Sequence, residues 1–111
     1  MPHLRFRGLS RETVKQISKS LVDTLSPLMG SPLDHFTLEF IPAEFVAKGQ
    51  VVSGYPIVEV LWFERPLEIQ DKVAAEITAT LRARVGAEQD ICVIFTKLEG
   101  RQYYENGSHF G

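Results

Sequence analysis

The first residues alternate between polar and apolar side chains. From His3 to Arg7 the period is two, which predicts a β-strand with two unlike faces, and Gly8 ends it. A helix is predicted next, because Ser10 can cap its amino end and apolar residues then recur at helical spacing as far as Gly30. Gly30 can supply a left-handed C-cap, and Pro27 is expected to break the last helical turn.

Two further strands are predicted in the middle of the chain. The segment HFTLEFI (residues 35–41) alternates again, and PIVEVLWF (56–63) is a mostly apolar run of strand length. Residues 42–55 between them carry a proline, two glycines and mixed polarity. That composition and length predict a loop with a short extended piece rather than a tight hairpin.

The second half repeats the order of the first. Pro66 suits the first turn of a second helix, in which apolar residues recur every fourth position until Gly86, and DICVIFT (90–96) predicts a fourth strand before a polar tail. Equivalent positions of the two helices have the same spacing in sequence: Ile17 and Val73, Leu21 and Ile77, Gly30 and Gly86. The chain therefore reads as one α+β domain made of two βαβ pseudo-repeats, 2–41 and 56–96.

Two βαβ units predict a four-stranded mixed sheet with both helices on one face. In the third and fourth strands, however, apolar residues occupy both sides, as in Ile57 beside Val58 and Val93 beside Ile94. Two helices cannot cover both faces of a sheet. We therefore expect another subunit to cover the second face.

Composition narrows the class of partner. The chain has 111 residues, a mass of 12.5 kDa and a formal net charge of −2, with charges of both signs scattered along it, so the sequence argues against nucleic acid as a partner. The single cysteine, Cys92, lies in an apolar run and is interpreted as a small core residue. With no apolar stretch long enough for a membrane span and no signal-like leader, we expect a cytoplasmic protein without a membrane partner.

Several of these features together resemble the tautomerase superfamily, which includes 4-oxalocrotonate tautomerase and macrophage migration inhibitory factor. The features are Met-Pro at the head of the first strand, the duplicated βαβ unit, the segment GSPLDHFTLEFIP and the terminal NGSHFG. The resemblance covers the whole chain. It implies a homotrimer in which each sheet turns its bare face inward.

The resemblance also implies a chemistry. Removal of Met1 would leave Pro2 as a secondary amine, and this amine would act as general base on a small 2-oxo or enol carboxylic acid, without metal or cofactor. Burial and nearby cations, for which Arg5 and Arg7 are candidates, would favour its unprotonated form. The other candidate substrate-binding residues are Arg11, Tyr103 and Tyr104, since a guanidinium fits a carboxylate and the tyrosines can donate hydroxyls.

Three positions depart from the pattern of the inhibitory factor. Ser31 stands where that family has a lysine, and Cys92 and Ile94 stand where it has Tyr and Asn. A non-catalytic interaction or structural protein of the same fold is therefore the leading alternative. A ferredoxin-like ligand-binding module shares the order βαββαβ and is the third possibility, although the 42–55 connection is long for its central hairpin. His3 and His109 are not expected to bind metal, because no typical ligand spacing accompanies them.

Overall fold

Every predicted strand and helix is present in the computed structural model, which describes residues 2–111. The first half contains β1 (His3–Arg7), α1 (Arg11–Met29), a 3₁₀ turn (Leu33–His35), β2 (Thr37–Phe40), β3 (Phe45–Ala47) and β4 (Gln50–Val52). The second half contains β5 (Ile57–Phe63), α2 (Leu67–Arg82), β6 (Cys92–Leu98), a 3₁₀ turn (Gly100–Gln102), β7 (Tyr104–Glu105) and β8 (Ser108–His109).

The main sheet has the strand order β2-β1-β5-β6. β1 runs parallel to β2, β5 runs parallel to β6, and the two pairs meet where β1 and β5 lie antiparallel. The predicted mixed sheet made of two βαβ units is thus confirmed. A ferredoxin-like sheet would place β6 beside β1, whereas here β6 is an edge strand beside β5, so that alternative is wrong.

Both helices pack on one face of this sheet, where their apolar stripes meet alternate strand residues. The buried residues of this core are Leu4, Phe6, Val14, Ile17, Leu21, Leu25, Met29, Val58, Val60, Trp62, Val73, Ile77 and Leu81. Full burial of such a side chain stabilises the fold by about 1.5–3 kcal/mol. The helices keep polar outer faces, and none within residues 2–111 has the length and apolar character needed to cross a membrane.

Both ends of α1 are capped as the sequence predicts. Pro27, however, does not break the last turn of the helix. The Ser10 hydroxyl accepts a hydrogen bond from the Thr13 amide at 3.1 Å, and Gly30 adopts φ 65° at the C-cap. The helix continues through Pro27 to Met29. Pro27 lacks the N–H that would donate to the Asp23 carbonyl, but the next turn is closed because the Ser26 carbonyl accepts from the Gly30 and Ser31 amides, so the expected break is wrong.

Residues 42–55 contain more structure than predicted. β3 and β4 form a two-stranded hairpin whose turn residues, Lys48 and Gly49, both have positive φ (53° and 74°). Such pairs are typical of type I′ turns. The radius of gyration, 15.0 Å, exceeds the roughly 13 Å expected for a compact domain of this length.

Gly8, which joins β1 to α1, is the glycine with the strictest requirement. It has φ 78°, and a Cβ placed there would lie 2.0 Å from the Tyr55 carbonyl oxygen. Gly8→Ala is therefore expected to lower the free energy of unfolding by more than about 2 kcal/mol.

The matched control is Gly30→Ala, where φ is 65° but nothing lies within 4 Å of the added Cβ. That substitution is expected to cost about 1 kcal/mol for the backbone conformation alone. Urea unfolding of both variants measures the difference. Equal losses would show that the close approach of Tyr55 to Gly8 is unimportant.

Candidate active site at the Pro2 edge

Pro2 lies at one end of the main sheet, where β1 and β2 begin and β5 and β6 end; this end is called the Pro2 edge below. Its ring is fully buried, and its carbonyl oxygen accepts a hydrogen bond from the Thr37 amide at 3.0 Å. The antiparallel register pairs His3 with Leu61, so the next position outward places Pro2 opposite Trp62. Pro2 also has the sheet parity of Leu4, which faces the helices.

Arg65 extends from the segment after β5 back over the same end of the sheet. Its Nε donates to the Met29 carbonyl oxygen at 3.2 Å, one terminal nitrogen donates to the Ser31 hydroxyl at 2.9 Å, and the other donates to the Phe63 carbonyl oxygen. The guanidinium carbon lies 5.5 Å from the centre of the Trp62 ring. Arg65 therefore ties the end of α1 to the end of β5 and brings a cation to the helix side of the Pro2 edge.

The carboxyl-terminal tail also reaches the Pro2 edge. The Tyr103 hydroxyl lies 3.0 Å from Nε2 of His3, and its ring meets those of Phe63 and Phe110 edge-on, with centroids 5.4 and 5.0 Å apart. Tyr103 is thus a predicted site residue that lies at the Pro2 edge, where it contacts His3 on the face of the sheet away from the helices. Tyr104 does not lie there: it is 55% exposed and contacts Arg101 and His109 within the tail.

Burial changes the protonation of the two hydrogen-bonded groups in opposite directions. It lowers the pKa of His3 below 6.5, and the positive charge of Arg5 contributes in the same direction. Burial raises the pKa of Tyr103 above 10.0, and the charge of Glu105 adds to this effect. Both groups are therefore neutral at pH 7, and a neutral pair can share one hydrogen bond between hydroxyl and ring nitrogen.

The lowered pKa of His3 predicts a loss of stability in mild acid. As the pH falls below 6.5, the unfolded chain takes up a proton at His3 before the folded chain does, so the folded state loses stability relative to it. Melting temperatures at pH 7.5 and pH 5 are expected to differ less for His3→Gln than for the unchanged protein. An identical drop in the two proteins would contradict the proposed environment of His3.

Arg5 and Arg7 point to the face of the sheet away from the helices, called the open face below. Arg5 forms ion pairs with Glu39 (3.2 Å) and Glu59 (3.7 Å), and Arg7 lies 4.0 Å from Glu59. Glu59 also accepts a hydrogen bond from the Thr96 hydroxyl at 3.0 Å. The alternation from His3 to Arg7 that predicted a strand with two unlike faces is confirmed, and the structure adds that two glutamates lie beside the charged face.

Arg11 lies at the other end of the molecule. It is the first residue of α1, beyond the last residue of β1, and its guanidinium carbon is 5.4 Å from the centre of the Phe40 ring. The length of β1 alone separates Pro2 from this end of the sheet by roughly 17 Å. Within one chain, Arg11 and Pro2 are not brought together.

Two clefts of 370 and 260 Å³ also lie away from Pro2. The larger is lined by Tyr55 and residues 86–90, and the smaller lies between Gly8 and the β3–β4 hairpin. Neither includes a residue of the Pro2 edge. Within residues 2–111, no group of three or more His, Cys, Asp or Glu side chains is placed to hold a metal ion.

Comparison with known protein families and solved structures shows which family this chain belongs to. A family model described as a domain of unknown function, DUF1904, matches residues 1–109. The chain belongs to the DUF1904 family. A crystal structure of a DUF1904 domain from Sebaldella termitidis is 35% identical, with 99% of this chain and 100% of that chain covered and a TM-score of 0.93. No curated protein matches the sequence.

More distant structures show which fold the DUF1904 chain has. A macrophage migration inhibitory factor-like protein from Entamoeba histolytica aligns over 98% of each chain with a TM-score of 0.76 and 18% identity. A fused 4-OT described as an asymmetric trimer aligns over 96% of this chain and 94% of that one, with a TM-score of 0.80 and 13% identity. The expected tautomerase-like fold is therefore confirmed.

Sequence patterns did not single out Arg65 or the link between His3 and Tyr103 in the DUF1904 chain. Arg65 lies between a strand and the proline that starts a helix, a position at which a long side chain can fold back over the strand end. That context was a usable signal. The link between His3 and Tyr103 joins residues 100 positions apart, and no local pattern predicts such a contact.

Proposed function

We propose that this protein is a cofactor-independent tautomerase of small 2-oxo or enol carboxylic acids, with the Pro2 amine as general base. The observation that carries the proposal is the buried Pro2 ring at the head of a central strand in a tautomerase-like fold. Burial disfavours the charged form of an amine, so the pKa of a Pro2 nitrogen freed of Met1 is lowered towards neutrality.

The reaction needs one group that accepts and returns a proton. The lone pair of the Pro2 nitrogen takes the proton of the enol hydroxyl while the oxygen electrons form the carbonyl bond and the double-bond electrons move to carbon. The resulting ammonium then donates its proton to that carbon. The nitrogen ends unchanged, so the chemistry requires no oxidant and no metal.

The carboxylate and the developing oxyanion need donors near Pro2. Tyr103 supplies a hydroxyl at the Pro2 edge, and its raised pKa keeps it protonated as a donor. Arg11 lies at the opposite end of the sheet from Pro2 in its own chain, so in the proposed assembly a neighbouring copy supplies it. Arg5 and Arg7 reach substrate only from the open face, where they are already paired with glutamates.

A homotrimer accounts for both the distant Arg11 and the open face. Ile94 on this face is 51% exposed, and Ile57, Leu61 and Phe63 of β5 are half-buried there. The structurally similar fused 4-OT is described as a trimer. In the proposed assembly, three open faces turn inward and each Pro2 edge is completed by the next copy.

Two observations favour the alternative of a non-catalytic interaction or structural protein. The two clefts of 370 and 260 Å³ both lie away from Pro2, and Cys92 and Ile94 replace the tyrosine and asparagine of the inhibitory factor pattern.

An activity assay separates the tautomerase from this alternative. Protein lacking Met1 is assayed for ketonisation of phenylenolpyruvate and 2-hydroxymuconate. Turnover supports the tautomerase, whereas its absence with both acids favours the alternative.

A further inference from the structure

We propose that Arg65 is the positioning residue whose charge keeps the Pro2 amine unprotonated near neutral pH. The inference rests on the proposed function in one respect, namely that Pro2 becomes the chain terminus. It assigns to Arg65 the part that the sequence suggested for Arg5 and Arg7.

The location of Arg65 supports this assignment. Trp62 lies opposite Pro2 in the strand register, and the Arg65 guanidinium carbon is 5.5 Å from the Trp62 ring centre. Pro2 and the Arg65 guanidinium therefore lie at the same end of the sheet and on its helix side. The donors of Arg65 hold it there, because Met29, Phe63 and Ser31 accept from all three guanidinium nitrogens.

The charge of Arg65 is also uncompensated. Among residues 2–111, no carboxylate lies within ion-pair distance of its guanidinium; its acceptors are two backbone carbonyls and one hydroxyl, all without formal charge. Arg5, by contrast, pairs with two glutamates on the open face. A half-buried cation without a counterion disfavours a second positive charge nearby more than a paired cation does.

Other titratable groups surround the Pro2 edge on every side. They come from β1 (His3), the 3₁₀ turn before β2 (Asp34 and His35), the end of β5 (Glu64), the end of β6 (Lys97 and Glu99), the 3₁₀ turn after it (Arg101) and the tail (Tyr103 and Glu105). Lys97 is held by Glu64 at 3.4 Å and Glu99 at 3.3 Å, so that cation is neutralised. His3 is kept neutral by its lowered pKa. Arg101 is exposed and donates to the Tyr104 hydroxyl in the tail, whereas Arg65 is the half-buried cation beside Trp62.

The test is a pH titration of the Pro2 nitrogen by ¹⁵N NMR, in protein labelled with ¹⁵N-proline and lacking Met1. Of the six prolines, Pro2 is then the one whose nitrogen is an amine. We expect the pKa of this amine to lie below that of ordinary chain-terminal amines, which is about 7.7–8.0. Arg65→Gln is expected to raise this pKa by about one unit, which is the effect of one charge at about 10 Å in an effective dielectric constant of about 20.

Two variants make the result specific. Arg65→Lys keeps the charge and is expected to retain most of the lowering, whereas Arg5→Gln removes a paired cation on the open face and is expected to change the pKa by much less. A Pro2 pKa unchanged in Arg65→Gln, or raised equally in Arg5→Gln, would overturn the assignment. If Arg65→Gln does not fold, an ordinary or higher pKa in the unchanged protein overturns it as well.

This titration is independent of turnover. A low Pro2 pKa that rises in Arg65→Gln, in a protein inactive towards both enol acids, supports the role of Arg65 and refutes the tautomerase. Turnover together with a Pro2 pKa that Arg65→Gln leaves unchanged supports the tautomerase and refutes the role of Arg65.

Discussion

Pro2→Ala is expected to lower kcat/KM for the enol acid that the protein converts by about 10²–10⁴-fold, the usual contribution of a general base. Alanine keeps a terminal amine after Met1 removal, but it is a primary amine without the ring that is fully buried at the Pro2 edge. The nitrogen is then free to rotate and to be solvated, so it is protonated more readily. Steady-state kinetics at pH 7 measure the loss.

Two controls isolate the base from general damage. A protein with one residue inserted between Met1 and Pro2 turns the Pro2 nitrogen into an amide, which is not basic, and should be at least as inactive as Pro2→Ala. Pro32→Ala changes an exposed proline that precedes a 3₁₀ turn and should retain activity. Full activity in the Pro2→Ala variant would show that another group is the base.

Ile94→Lys is expected to convert the homotrimer into single chains. Ile94 is 51% exposed on the open face and lies beside Glu59 in the strand register, so a lysine is tolerated in the single chain. In a trimer with inward-facing sheets, three ammonium groups would be buried together, at a cost of several kcal/mol for each charge left without a partner. Light scattering should give about one third of the mass of the unchanged protein, which is expected to be three times the 12.5 kDa chain.

Leu67→Lys is the matched control for assembly. Leu67 is 73% exposed at the start of α2, on the helix side of the sheet. Replacing this exposed apolar residue with lysine therefore leaves the open face unchanged. The Leu67→Lys variant should have the same assembled mass as the unchanged protein. A single-chain mass for the unchanged protein, or a trimer that persists in Ile94→Lys, would contradict inward-facing sheets.

The apolar pattern of the sequence was sufficient to predict the main sheet and both helices, because β1, β2 and the helices repeat their apolar residues at the spacing of their backbone, and β5 and β6 are apolar runs of strand length. It failed where local rules compete with context. Pro27 is unfavourable within a helix, yet the C-cap after it, in which the Ser26 carbonyl accepts from the Gly30 amide, keeps the last turn helical. The β3–β4 hairpin has Val46, Val51 and Val52 exposed, so it lacks the alternation by which half-buried strands are recognised.

The candidate site was less predictable, because its parts come together through tertiary structure. Met-Pro at the head of a strand directed attention to Pro2, and strand parity placed Arg5 and Arg7 on a charged face. Neither rule could show that glutamates compensate both arginines, or that Arg65 folds back over Trp62. Arg11 follows β1 closely in sequence but lies at the far end of the sheet, since a strand carries the chain away from where it began.

The catalytic proposal depends on a free Pro2 nitrogen, and the mass of the intact protein isolated from its natural source tests this most directly. We expect a mass lower than that of the full sequence by one methionine residue, with fragmentation that places proline at the amino terminus. Retention of Met1 throughout the native population would leave the nitrogen as an amide and would contradict its role as the base.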